Sequence, residues 1–596
     1  MKVGDPATKA AIFSDSQPLI SVRTKRKRVT GGIEDMFEKK ELERIRQMEK
    51  DWETNTLEKE LKEKREWKQE FKTLSGIPVK RTYTPLDLAE TGWSYSEKLG
   101  FPGGYPMTRG RSATMYRGSI WPMWVYGGFG TAEDANKRYK YLVEQGTDEV
   151  AVALHLPTQL GYDSDHPMCK GEVGRIGVAI DTLADVEDAF KDLPLEDILI
   201  FTTANAIGPI FYALVVAMGE RRGVPVERMH INIQNEILKE YVARGTYIFP
   251  PKPSVKFSVD LIEYICRNNL SDNVYPYWFC GYHMKESGAT TVQEMAFTMA
   301  DTVAYLDELV SRGVDINTFH DPLVNLATSI DFFEAICEHR AFRRWWAKLM
   351  RERYGASNPR TLGVYFKGGS NSSNYTAQQP LNNIVRGTLS IIAQALAGEQ
   401  TMGTGAMDEA LGIPTEESHR LALRTQQIIA YESGITNTVD PLAGSYFVEA
   451  LTDELEERAV VLFNKVQEMG GAIPAIESGF MQSQIMQSAY QFLKQVESGE
   501  RIIIGVNKFQ VEEPGRPKLM KVDETVEQRQ IEKLNKVRKE RDNGKVQKAL
   551  KELKEAAIEG VNLVLPCMGA VKAYATIGEM CDVLREVWGE YRAPTL

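Results

Sequence analysis

The sequence is poor in the residues that hold metals and disulfides. Its six cysteines, at 169, 266, 280, 337, 567 and 581, are scattered along 596 residues with no CxxC pair. That argues against a disulfide framework and a structural zinc cluster, and it suits a reducing, cytoplasmic setting. Histidine is scarce too: there are seven, none in HExxH or another tight ligand spacing, so no protein-bound metal ion is expected. Basic charge is not in excess. Lys and Arg number 72 against 82 Asp and Glu, a net charge of −10, which argues against a nucleic-acid binder. No apolar run approaches the ~18 residues of a membrane span. The start, MKVGDPATKAAIF, lacks the basic-then-apolar order of a signal peptide.

What is present is long and ordered. Residues 1–32 are polar, with the basic patch RTKRKR at 23–28, and read as a solvated tail. Residues 33–73 are dense in Glu and Lys. Ile33, Phe37, Leu42, Ile45, Met48 and Trp52 recur at helical spacing, which predicts a helical arm with one apolar stripe, laid on a partner or folded back on its own domain.

From about 148 to 441, short β-rich runs alternate with helical segments. Eight runs stand out: DEVAVAL (148–154), ILIFTTAN (198–205), MHINIQN (229–235), YPYWFCG (275–281), PLVNLAT (322–328), TLGVYFKGG (361–369), EQTMGTGA (399–406) and ITNTVDP (435–441). Eight alternations predict an α/β fold, a (β/α)8 TIM barrel, with an open doubly wound sheet as the alternative. Small or polar strand residues, among them Thr202, Thr203, Asn205, Asn232, Gln234, Asn325 and Thr404, are unusual for a self-packed interior and suggest a ligand along the axis. The expected division is an arm to residue 75, a barrel over 76–445 and a helical extension over 446–596. Within the extension, RIIIGVNKF (501–509) reads as strand-like.

Barrel sites lie where strands end. His283, in WFCGYHMKESG, could donate to a carbonyl oxygen or be a satisfied core histidine. Arg244, in KEYVARGTYIFPP, could clamp a carboxylate or pair with Glu240. Tyr126, in WPMWVYGGFG, could add its hydroxyl to the same carboxylate or join an aromatic cluster with Trp121, Trp124 and Phe129. GYDSDHP (161–167) carries Asp163, Asp165 and His166, but its composition favours a turn over a ligand set. KGGSNSSN (367–374) lacks the GxxxxGK[ST] pattern of a phosphate loop.

The segments LPTQLGYDSDHP, GEVGRIGVAIDTL, IQNEILKEYVARGTYIFPP, GYHMKESGA, TAQQPLNNIVR and RTQQIIAYESGITNTVDPLAGSYFVEALT together resemble the large, substrate-binding subunit of acyl-CoA mutases of the methylmalonyl-CoA mutase family. The resemblance runs from about 75 to the C-terminus. It implies a barrel with a coenzyme A arm threaded along its axis, adenosylcobalamin as cofactor, and radical rearrangement of a carbon skeleton. The family's cobalamin-ligating DxHxxG motif is missing, which implies a separate small cobalamin-binding subunit, in a heterodimer or heterotetramer. By the same resemblance, Tyr126 and Arg244 match residues that hold a substrate carboxylate, Gln234 one that lines the pocket, and His283 one that bonds the thioester carbonyl.

The departures sit beside these positions. WTMRQYAGFG of the family has become WPMWVYGGFG, AFDLPTQ has become ALHLPTQ, ISISGYH has become YWFCGYH, and FHTQTAGSTLTAQQP has become YFKGGSNSSNYTAQQP. Thr114, Trp124, Phe279 and Cys280 are therefore expected in the substrate wall, and His155, Gly368 and Gly369, with Tyr126, beside the cofactor. Large apolar residues in place of polar ones suggest a bulkier acyl group than methylmalonyl, alkyl- or aryl-substituted. An ordinary methylmalonyl-CoA mutase and a non-catalytic scaffold are the alternatives.

Overall fold

The computed structural model describes residues 37–593 except 125, 413, 513–522 and 524, and describes Tyr126 by its backbone alone. The basic patch at 23–28 lies outside the described residues.

The molecule is α/β with parallel strands throughout. β1 (Tyr126–Gly127), β3 (Glu149–Val152), β5 (Leu199–Thr202), β6 (His230–Ile233) and β7 (Val274–Tyr275) pair in that order. β8 (Phe279–Cys280) pairs with β9 (Leu323–Asn325), and β9 with β11 (Tyr365–Phe366). Two short pairs stand at the strand ends: β2 (Phe129–Gly130) with β4 (Gly177–Val178), and β10 (Ala327–Thr328) with β12 (Gly369–Ser370). Single parallel bridges join Lys367 to Thr401 and Met123 to Met402.

The strands read as nearly continuous apolar runs because both of their faces are covered. Ile200, Ile231, Ile233 and Val324 face the helices and belong to the main core. Ala151, Phe201, Trp278 and Leu323 face the other way and form a separate cluster with Trp124, Tyr275 and Tyr365. Register places Ala151, Phe201, Asn232 and Tyr275 at one level across four strands.

The helices start where the sequence caps them. Thr131 with Asp134, and Thr290 with Gln293, form capping boxes for Ala132–Glu144 and Thr291–Ser311. Gly208–Arg221 is buried from Gly208 through Gly219, because the C-terminal helix Val564–Lys572 covers the face that would otherwise meet water. The long helix Phe332–Tyr354 buries three arginines, each against fixed acceptors. Arg340 pairs with Asp440 and Glu449, Arg344 with Asp453 and Glu456, and Arg343 donates to the carbonyls of Thr108 and Ala397.

Several sequence expectations are corrected. ITNTVDP is no strand: Ile435–Asn437 is a turn of 3-10 helix, and Asp440 sits at φ 50° under its ion pair with Arg340. EQTMGTGA contributes only the two single bridges. The strand that was not anticipated is the VYGGFG stretch, β1 and β2. Its glycines hide it, yet they are required: at Gly128, φ is +130° and an added Cβ would meet the Ala153 backbone at 3.1 Å. RIIIGVNKF forms a turn with one Ile504–Lys508 bridge. The arm is helical over Lys39–Trp52 and folds back at its start, where Phe37 meets Tyr446 and Arg46 reaches Glu90. Met48 and Trp67 remain exposed. GYDSDHP is a turn as expected, tied down by Arg538 on Asp163 and Asp165.

Candidate active site

A cavity of about 390 Å3 lies at the C-terminal ends of the strands. Its wall includes Trp124, Phe201, Gln234, Arg244, Trp278, His283 and Gly369, so positions distant in sequence meet around one space.

Arg244 closes a single π-helical turn, Glu240–Arg244, that ends at Gly245 with φ 87°. Its guanidinium lies 3.3 Å from the Glu240 carboxylate and still borders the cavity. The two readings of Arg244 are thus both present in the geometry. Glu240 is a buried anchor. Lys239 Nζ lies 2.6 Å from it, the Thr246 backbone N–H donates to it at 3.1 Å, and the Thr246 hydroxyl donates as well. Burial would raise its pKa, but the Lys239 and Arg244 charges overcome that and hold it at about 2. The carboxylate is therefore charged and fixes one edge of the guanidinium, leaving the other for a ligand.

His283 lies in the first turn of the short helix Tyr282–Glu286, directly after β8. Burial, then the nearby Lys239 and Arg244 charges, push its pKa well below the ordinary imidazole range. It is neutral at physiological pH. Cys280 Sγ lies 3.4 Å from its Nδ1, and burial raises that thiol to about 12. A protonated thiol can donate to Nδ1, which puts the imidazole proton on Nε2. A neutral ring with Nε2–H is a hydrogen-bond donor rather than an acid.

Gln234 is 1% exposed, borders the cavity, and neither end of its amide has a partner. The Asn325 Oδ1 is in the same condition on the facing strand. Unsatisfied buried amides facing an empty space mark where a polar ligand would complete them. Opposite them is an aromatic wall, with Phe201 and Trp278 at 4.7 Å edge to face and Trp124 at 6.2 Å from Phe201.

Not every expected residue lies on this wall. Thr114 is exposed on a surface turn and does not border the cavity. Phe279 points into the helical layer against Tyr305 and Trp346, because strand alternation turns Trp278 inward instead. Cys280 stands behind His283. His155 is fully buried, its Nδ1 accepts from the Gly174 N–H, and burial lowers its pKa to about 3. Gly368 packs against Glu399, whose carboxylate fills the space a Cβ would need. Gly369 does border the cavity, with open space beside it. The side chain of Tyr126 lies outside the described residues, and its backbone pairs with Ala151. Phe201, Tyr282, Glu409 and His419 border the cavity without having been singled out. Phe201 could have been found from its even spacing with Leu199 and Thr203 along one strand. His419, on a helix far downstream, gave no local signal.

A family model described as methylmalonyl-CoA mutase matches residues 72–590. The chain belongs to the methylmalonyl-CoA mutase family. Membership carries with it isomerase chemistry on a carbon skeleton and a cobalamin cofactor. The 2-hydroxyisobutanoyl-CoA mutase large subunit of Aquincola tertiaricarbonis is 43% identical over 546 residues, covering 91% of this chain and 96% of that protein. The methylmalonyl-CoA mutase of Cereibacter sphaeroides is 40% identical over 539 residues, covering 90% and 75%. The human mitochondrial methylmalonyl-CoA mutase is 38% identical over 525 residues, covering 87% and 69%.

Proposed function

We propose that this chain is the large, substrate-binding subunit of a carbon-skeleton mutase that isomerises a carboxylated acyl-CoA thioester bulkier than methylmalonyl-CoA, working in the cytoplasm with adenosylcobalamin and a small cobalamin-binding subunit. The observation that carries this reading is one cavity that joins a fixed arginine, a neutral histidine and an unsatisfied glutamine to a wall of tryptophan and phenylalanine.

The strands support a closed (β/α)8 barrel. β7 and β8 lie in one run, and the single bridges at Thr401 and Met402 connect β11 back to the segment before β1. On that reading the cavity is the barrel's C-terminal mouth, where the chemistry of such folds is placed.

Each residue has a task the geometry suits. Arg244, braced by Glu240, takes the substrate carboxylate. A charge-assisted bond of this kind contributes about 1.5–3 kcal/mol. His283 donates its Nε2–H to the acyl carbonyl, and Gln234 completes its amide on the acyl group. Trp124, Phe201 and Trp278 exclude water and match an alkyl or aryl substituent. The small residues of the mouth, Gly369, Ser370, Ser372, Gly403, Gly405 and Ala406, leave room for a broad flat group against it, which fits a corrin. Adenosylcobalamin, when bound, supplies the radical that takes a hydrogen atom from the substrate. The name of the Aquincola relative, a large subunit, supports a partner chain that carries the cobalamin site.

The test is steady-state kinetics of Arg244→Ala with the reconstituted complex. Loss of the clamp should lower kcat/KM for carboxylated substrates about 10–100-fold, the equivalent of that bond. Unchanged kinetics would remove Arg244 from the site.

A further inference from the structure

Beside the cavity lies a groove whose cations have no carboxylate partner. The loop after β12 divides the two spaces. Ser370 and Ser372 line the cavity, whereas Ser373 and Asn374 line the groove. The groove, of about 450 Å3, runs between helix Asn382–Ala397, helix Phe480–Glu497 and the turn at 501–504. Its apolar lining is Leu74, Ile330, Val385, Phe492, Ile502 and Ile504. Arg386 and Arg501 both open on to it. Arg386 donates to neutral acceptors: the Thr376 hydroxyl at 2.9 Å, the Asn383 amide oxygen at 2.7 Å and the Ile504 carbonyl at 3.0 Å. Arg501 donates to the Leu74 carbonyl at 3.5 Å and lies 4.6 Å from the Phe492 ring centroid. Among the described residues, neither guanidinium has a carboxylate among these partners. Burial lowers the pKa of both. Nothing charged opposes it at Arg386, and at Arg501 it outweighs the pull of Glu334, Asp331 and Glu500. The Asn374 amide nitrogen, on the same wall, is buried without a partner. All three groups are donors, so the groove is short of an anionic acceptor.

Outside the groove the apolar surface continues. Leu381, Val385 and Leu389 recur every fourth residue and are 67%, 61% and 42% exposed. That spacing sets them in one stripe along the helix. Ile428 and Tyr431, on the adjacent helix Glu416–Tyr431, are exposed as well. An apolar face of this kind, rimmed by polar groups, marks an interaction surface.

We infer that this groove and stripe dock the small cobalamin-binding subunit through an acidic segment flanked by aliphatic side chains. Arg386, Arg501 and the Asn374 amide take its carboxylates. Leu381, Val385 and Leu389 take its apolar side chains. The inference rests on the proposed partner chain and names the patch that holds it. A free anion would use the arginines but leave the stripe in water. A purely apolar partner would bury two guanidinium groups with no counter-charge, which is strongly unfavourable. An acidic segment with aliphatic neighbours satisfies both. The place is right as well. The Ser370–Asn374 loop has the cavity on one side and the groove on the other, so a chain seated here stands beside the mouth. The loop is also tied to helix Tyr282–Glu286. The Ser373 N–H donates to Glu286 at 3.2 Å, and the Tyr282 hydroxyl lies 2.8 Å from the Ser372 hydroxyl. Docking in the groove therefore bears on the element that carries His283.

The experiment is calorimetric titration of the small subunit, the DxHxxG-bearing chain loaded with adenosylcobalamin, into this full-length chain. Arg386→Gln and Arg501→Gln should each weaken binding about tenfold or more. Raising NaCl from about 50 to about 500 mM should weaken wild type and shrink that difference. Val385 is exposed, so its replacement separates charge from folding. Val385→Glu should bind about tenfold more weakly than Val385→Lys, a split that a merely structural role would not produce. Wild-type affinity in the arginine variants, with Val385→Glu and Val385→Lys alike, would overturn the inference. So would a dimer of this chain, seen by sedimentation of the chain alone, that the same variants dissolve while small-subunit binding is unchanged. A second copy would then be the occupant. The two levels of the claim fail differently. If wild type binds no small subunit, the partner reading fails and this inference fails with it. If wild type binds and the variants match it, this inference alone fails.

Discussion

His283 shows how one side chain's role is set by its neighbours. Burial and two nearby cations keep the ring neutral, and Cys280 orients it. A donor of this kind needs no titration near neutrality. The kcat/KM profile should therefore be flat from about pH 6 to 8, and His283→Ala should lower kcat about 10²-fold, the scale of losing one preorganised donor. An inflection near pH 6.5 that disappears in His283→Ala would show instead an imidazole that changes charge during turnover. His155, expected beside the cofactor, is better tested by stability. Its pKa is lowered to about 3 by burial, so the unfolded chain binds a proton below about 6.5 that the folded chain does not. Its share of stability is complete above the unfolded pKa and is lost as pH falls from about 6.5 towards 3. His155→Gln removes that linkage. Urea unfolding should show wild type losing about 1.4 kcal/mol per pH unit relative to the variant between pH 6 and 4. Equal slopes would mean that His155 is protonated in the folded chain.

At the scale of elements, the Glu149–Lys367 pair joins β3 to the segment after β11. A buried charge left alone is costly, so Lys367→Met should destabilise the protein by about 3–5 kcal/mol. Glu149→Leu added to it should recover most of that loss, as judged by urea midpoints. Additive losses in the double variant would show that the pair is not an isolated unit. The same elements show what local sequence could reveal. Strands such as EVAV and HINI were legible because apolar runs of strand length stand between capped helices. VYGGFG was not, since its three glycines suit backbone crowding that only the assembled sheet creates. ITNTVDP looked like a strand by its β-branched residues, but distant Arg340 holds its acid in a turn. The site was legible in the same uneven way. Arg244, His283 and Gln234 carry motif context, whereas the inward turn of Trp278 rather than Phe279 is a matter of register, which one residue of slip reverses.

The whole molecule is held by contacts between chain regions far apart. Gly161 packs on Cys581, and Asp163 takes hydrogen bonds from Thr576 and Gly578. The C-terminal helices also share the main core with Gly208–Arg221. A chain ending at residue 523 should therefore lose cooperative unfolding, since the buried face of that helix would meet water. A cooperative transition of wild-type midpoint would show that the last helices are an independent appendage. The central claim is that the assembled cavity rearranges a bulky carboxylated acyl skeleton. Its most direct test is 13C NMR of the carbon skeleton after incubating this chain, its small subunit and adenosylcobalamin with labelled substrates. The set pairs methylmalonyl with ethylmalonyl, phenylmalonyl and phenylsuccinyl groups, each offered as its coenzyme A thioester. The account predicts rearrangement of at least one larger group faster than methylmalonyl, abolished or strongly reduced in Arg244→Ala. Turnover fastest on methylmalonyl, or no rearrangement of any member, would contradict it.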